Sequence, residues 1–147
     1  MSSDDASDGI RFAITPTGAI SQIWFRTGSS HVAPEAGLWR ADDRVAGLFL
    51  GHAALFADFL GVPSGIGNIV NGECPVDGSL LDAFCVASLA EYGATVQGIQ
   101  RALTVGFIAT ALVLLDRAGR PVPTCVAPEQ QAAWAALRDQ HSAVMPR

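Results

Sequence analysis

Residues 51–61 constrain the fold more than any other segment. They read Gly-His-Ala-Ala-Leu-Phe-Ala-Asp-Phe-Leu-Gly, a short helix that is apolar on nearly every face. Gly61 followed by Pro63 supplies the usual stop signal. A helix apolar all round belongs inside a protein, so the remaining elements are expected to wrap around it. The exception within it is Asp58. A carboxylate in apolar surroundings loses hydration, and it must be hydrogen-bonded, protonated or engaged in chemistry.

The flanking segments suggest what does the wrapping. Residues 37–44 alternate Leu38 and Arg40 with Trp39 and Ala41, as a strand does. Residues 66–72 fit a short strand, and Pro75-Val76-Asp77-Gly78 has turn chemistry. Three longer runs, 80–89, 94–103 and 107–115, are read as strands. They are separated by Glu91-Tyr92-Gly93 and by Gly106, and the last is apolar throughout. Links this short imply antiparallel pairing. Residues 128–141 read as a C-terminal helix with Ala132, Ala133, Ala136 and Leu137 inward and Trp134 either inward or at an interface. Residues 1–9 read as a frayed polar tail, 27–36 as a loop, and 10–147 as one domain. The expected class is α+β: a curved antiparallel sheet around a central apolar helix.

Composition narrows the function. Half of the 147 residues are hydrophobic and 16% are charged, enough for one substantial core. So apolar a chain is expected to bury surface between subunits, as a homodimer or a dimer of dimers. The net charge is −5, and all nine basic residues are Arg. That argues against nucleic acid as a partner, which requires a basic patch. Cys74, Cys85 and Cys125 are widely spaced with no CxxC, and the three His are scattered. No metal site and no disulfide framework is expected, and Cys85 reads as a small core residue. The N-terminus lacks the basic start and apolar core of a signal peptide, and the uninterrupted apolar runs are too short to span a bilayer. A cytoplasmic protein away from the membrane is the expectation.

The order of elements resembles the hotdog fold. Residues 107–123, an apolar run into Asp116-Arg117-Ala118-Gly119-Arg120-Pro121-Val122-Pro123, look like the closing strand of hotdog thioesterases. Gly47, Gly51 and Asp58 fall where acyl-CoA thioesterases of the phenylacetate-pathway and 4-hydroxybenzoyl-CoA type carry a Gly-x-His-Gly-Gly motif and a helical acid. Phe49 and Leu50 stand in place of the family's His and middle Gly. The resemblance covers residues 44–123. It implies hydrolysis of an acyl-CoA or acyl-carrier thioester in a cleft between subunits, with no cofactor beyond the thioester itself.

On that resemblance Asp58 is the candidate base or nucleophile. The helix start at Gly51 polarises the carbonyl through free backbone N–H groups. His52 is the neighbour able to replace the missing His. Phe49, Leu50, Asn68, Asn71 and Arg101 are candidate substrate contacts. Arg101, Arg117 and Arg120 suit phosphate oxygens, although Arg117 and Arg120 equally fit a solvated turn. Trp24, Trp39 and Phe49 fit an acyl pocket or plain core. Two alternatives share the fold. One is a non-catalytic acyl-thioester-binding protein, favoured by the apolar Phe49 and Leu50. The other is a hydroxyacyl-thioester dehydratase, which needs His52 or His31 as base.

Overall fold

The structure is a computed structural model that describes residues 21–28, 37–124 and 126–147. The expected tail over 1–9, most of the expected loop, His31 and Cys125 lie outside the described residues. Among the described residues seven elements follow in order: β1 (Gln22–Thr27), β2 (Gly37–Asp42), α1 (Asp43–Leu60), β3 (Glu73–Val76), α2 (Gly78–Ala94), α3 (Gly98–Arg117) and α4 (Pro128–Ser142). The α+β class holds. The strands form one small sheet in the order β2-β1-β3, with β1 antiparallel to β2 and parallel to β3.

The three long strands expected over 80–89, 94–103 and 107–115 are instead helical, as α2 and α3. The curved antiparallel sheet is therefore not what these residues build. The cause is visible in α2. A two-residue alternation puts apolar groups on both faces, which is no contrast at all. At helical spacing Leu81, Phe84, Cys85, Ser88 and Leu89 form one buried face. Asp77 is its N-cap, accepting from the backbone N–H groups of Ser79 and Leu80 at 3.0 Å each. Helical hydroxyls are satisfied by the preceding turn: Ser88 donates to the Phe84 carbonyl, Thr104 to that of Gln100, and Thr110 to that of Gly106.

The central helix is α3. Phe107, Ile108, Ala109 and every residue from Ala111 to Leu115 are buried. Among the described residues it is the one helix long and apolar enough, by length and composition, to cross a membrane, and half of that stretch is buried within this fold. The separate apolar runs seen in the sequence are one continuous helix here.

The helix expected at 51–61 begins much earlier, at Asp43. Asp42 caps it, accepting from the Val45 N–H at 2.8 Å. It ends in a Schellman motif at Gly61, with Val62 N–H donating to the Ala57 carbonyl at 3.1 Å and Gly61 N–H to that of Asp58 at 3.3 Å. Far from being enclosed, α1 buries only Ala46, Phe49 and Ala53. In α4 the buried residue is Trp134, edge-on to Tyr92 at 4.9 Å, while Ala132, Ala133 and Ala136 are exposed.

An aromatic chain ties the layers together. Phe25 of β1 stacks on Trp39 of β2 at 4.9 Å, and Phe49 of α1 meets both rings edge-on. Phe49 leads to Phe107 at 5.3 Å, and Phe107 also contacts Phe56 and Phe84. The C-terminal end is fastened by Arg117. Its guanidinium donates to the carbonyls of Leu38 (2.7 Å), Ser142 (3.1 Å) and Met145 (2.7 Å) and to the Ser142 hydroxyl (3.1 Å). Burial lowers its pKa, yet an arginine keeps its charge.

Two stability outcomes follow. Gly65 has a positive φ of 77°, and a Cβ there would lie 2.6 Å from the Leu81 nitrogen. Gly65→Ala is expected to cost about 2–4 kcal/mol by urea denaturation. Gly93→Ala, in open space on α2, is expected to stabilise by about 0.5 kcal/mol. Equal effects would contradict the packing at Gly65. Arg117→Met strands three carbonyls and is expected to cost about 2–4 kcal/mol. It should also abolish hydrogen-exchange protection at the Arg40 amide, which donates to the Pro146 carbonyl at 2.9 Å. Retained protection would mean that the C-terminal segment is held by other contacts.

Candidate functional site

A cleft of about 300 Å³ opens where α1 crosses α3. Four residues of α1 line it: Val45, Leu48, Phe49 and His52. From α3 come Gly106, Phe107 and Thr110. Trp39 of β2 and His141, Val144 and Met145 complete the lining. The volume lies at the lower end of the range for small-molecule sites.

Register explains the convergence. Phe49 and His52 flank the crossing point on α1, and both rings touch Phe107, His52 edge-on at 5.9 Å. Gly106 precedes Phe107 and has nothing within 4 Å of where a Cβ would sit. The missing side chain therefore leaves a gap in the α3 wall. An interior glycine disfavours the helix by about 1 kcal/mol relative to alanine, so here helix stability is traded for space. His141 Nδ1 donates to the Leu137 carbonyl at 2.9 Å. A carbonyl only accepts, so the neutral ring carries its hydrogen on Nδ1 and keeps an acceptor at Nε2.

The polarity of the cleft defines its chemistry. Among the described residues its lining carries two imidazoles and one hydroxyl, with no carboxylate and no guanidinium. It suits an apolar group approached by a polar atom at its rim.

The sequence-predicted residues divide sharply. Phe49, His52 and Trp39 reach the cleft. Leu50 is half-buried against the core and is not among the lining residues. Gly51 is exposed and sits in the middle of α1, not at its start. Its N–H is therefore engaged by the helix itself, and no free donors cluster there to hold an oxyanion. Asp58 is solvent-exposed, outside the cleft lining. Asn68 is exposed on the loop after α1. Asn71 has φ 52° and Gly72 φ 74°, and Val70 and Glu73 exchange both backbone hydrogen bonds across them. This is a two-residue hairpin turn, where Asn-Gly is favoured for conformation alone. Arg101 lies over the Tyr92 ring at 5.3 Å and donates to its carbonyl at 3.2 Å, at the α2–α3 turn. Arg120 pairs with Asp82 at 3.1 Å, and Arg117 is the clamp described above rather than a solvated turn residue. Trp24 lies between the guanidiniums of Arg26 and Arg40 on the face of the sheet opposite Phe25.

Sequence reasoning missed Gly106, Phe107, Thr110 and His141. The available signal was Gly106 itself: a glycine inside an otherwise helical apolar run points to close packing or to space for a ligand.

Among the described residues no group of three or more His, Cys, Asp or Glu side chains is placed to hold a metal. Cys74 and Cys85 are buried free thiols. Cys74 donates to the Gly67 carbonyl at 3.2 Å. Burial pushes the Cys74 thiol up to about 11, and burial, with the Asp82 charge adding to it, pushes Cys85 up to about 12, from 9.0. Neither is a thiolate nucleophile near neutral pH. Both hold their proton more tightly folded than unfolded. Their contribution to stability is therefore complete below pH 9 and lost as pH rises through about 11–12. The denaturation midpoint should fall between pH 9 and 11, less steeply in Cys85→Ala. Identical slopes would show that Cys85 plays no part.

No curated relative and no solved structure matches the chain. One family model does, across residues 30–147, and by that match the chain belongs to the family of unknown function DUF6086.

Proposed function

We propose that this domain is a binding module that takes the apolar end of a small ligand, a short acyl or aryl group, into the α1–α3 cleft. One observation carries the reading: an apolar cleft with a glycine-made gap, lined in part by His52 and His141 and, among the described residues, by no charged side chain. Apolar walls supply affinity, and the exposed His52 imidazole can donate one directional hydrogen bond to a carbonyl or carboxylate oxygen. Acyl thioesters and their free acids are the first ligands to try, because the hotdog thioesterase resemblance around Gly47, Gly51 and Asp58 points to that class.

Binding is favoured over hydrolysis on two grounds. The acid expected to attack is in solvent, and the backbone expected to hold an oxyanion lies mid-helix. A reducing, cytoplasmic setting agrees with free thiols at Cys74 and Cys85.

Calorimetry with butyryl-, octanoyl- and benzoyl-CoA and the matching free acids tests this, with released thiol followed in parallel. Saturable binding without thiol release is expected. Gly106→Phe, which projects a ring into the gap, should weaken it by at least about tenfold while circular dichroism stays native. Binding by neither ligand class, or binding indifferent to Gly106→Phe, overturns the proposal. Thiol release that disappears in Asp58→Asn would establish the thioesterase instead.

A further inference from the structure

The hydrogen-bond roles of the polar cleft residues follow from their partners, because a carbonyl oxygen only accepts. Thr110 commits its single hydroxyl hydrogen to the Gly106 carbonyl at 2.9 Å. Its oxygen keeps lone pairs alone, one helical turn from the gap that Gly106 leaves in the same wall. His141 commits the hydrogen on Nδ1 to the Leu137 carbonyl, so Nε2 of the neutral ring is also an acceptor. Among the described residues Nε2 has no hydrogen-bond partner. His52 differs from both. It is exposed and meets Phe107 edge-on, so neither tautomer is imposed on it, and it can donate through one nitrogen and accept through the other.

The cleft is therefore lopsided: two of its three polar side chains present acceptors, and the third adapts. A carbonyl or ether carries acceptors only. It can take a hydrogen bond from His52, but it sets lone pairs against lone pairs at Thr110 and His141. An ammonium group donates, yet it would lose hydration where no carboxylate lines the cleft to pair with it. A hydroxyl both donates and accepts, and so complements all three side chains. Turning the Thr110 hydroxyl toward a ligand gives up its bond to Gly106. Moving the His141 hydrogen to Nε2 gives up the bond to Leu137 and sets a lone pair against that carbonyl.

We infer, building on the ligand reading above, that the compound taken into the α1–α3 cleft bears a hydroxyl beside its apolar group and donates it to Thr110 Oγ1 or His141 Nε2. Phe107 and the space at Gly106 hold the apolar part. Thr110 and His141 decide which polar group accompanies it.

Titrations followed by ¹⁵N NMR test this with two pairs of isomers: benzyl alcohol against anisole, and 1-hexanol against methyl pentyl ether. Within each pair the formula is the same and only the alcohol has a hydrogen to donate. The alcohols are expected to bind at least about fivefold more tightly and to shift the Gly106 and Thr110 amides. Thr110→Val combined with His141→Phe should abolish the difference while circular dichroism stays native. Thr110→Ser, which keeps the hydroxyl, should preserve it. The wild-type comparison decides without any variant: equal affinity within both pairs overturns the inference. A preference that survives the double substitution overturns it too. If all four compounds bind equally and Gly106→Phe weakens them all, this inference fails and the ligand reading stands. If neither these four nor the acyl compounds bind, both fail.

Discussion

The structure depends on burying the ring of Phe107. It sits in the middle of α3, and through it the helices and the sheet share one core: Phe49 and Phe56 approach from α1, Phe84 from α2, and the Phe25–Trp39 stack continues the chain into the strands. Aromatic rings bury large areas with few side-chain degrees of freedom, so a few such contacts can hold a small sheet against three helices. The same position governs the cleft. His52 meets Phe107 edge-on, and Gly106 beside it is left bare, so the residue that organises the interior also shapes the floor of the opening.

A second set of constraints is polar and lies at the chain's joints. Asp42 and Asp77 start α1 and α2 by satisfying backbone donors that have no partner inside a helix. Between α2 and α3, Gln100 accepts from the Thr95 hydroxyl and donates to Glu91, and so ties the corner between the two helices. At the far end of α3, Arg117 gathers three carbonyls that would otherwise be stranded. Apolar burial sets which faces meet; these capping groups set where each helix begins and how its ends are joined.

That division explains what could be read in the sequence. The stop at Gly61, the strand at 37–42, the C-terminal helix and the core placement of Cys85 were legible because each has a local cause: a cap, an alternation with contrast, a clear period or a single apolar run. The helices over 80–89 and 107–115 were not, because both alternating faces are largely apolar and a strand can be drawn through any such run, and the 94–103 segment between them was read in the same way. The unbroken length, and Asp77 placed to cap it, decide for helix. Asp58 misled for a related reason. Its apolar neighbours suggested enclosure, but Leu55 and Phe59 are themselves on the surface, so the acid shares their exposure to water. Of the site, Phe49, His52 and Trp39 could be found from local chemistry. His141 is brought in from the end of α4 by tertiary packing alone.

The C-terminal segment has one more consequence. A three-stranded sheet has two open margins, and each is a template on which further strands can add, in this chain or between chains. At β2 the Arg40 amide is taken by the Pro146 carbonyl, with the neighbouring Met145 carbonyl bound by Arg117. At β3 the loop before it returns alongside, Gly67 donating to the Pro75 carbonyl and Ile66 bridging Val76. Both margins are blunted, and one of them ends in a proline that has no amide hydrogen to offer a newcomer. Neither margin therefore presents a full row of free backbone groups on which a further strand could add.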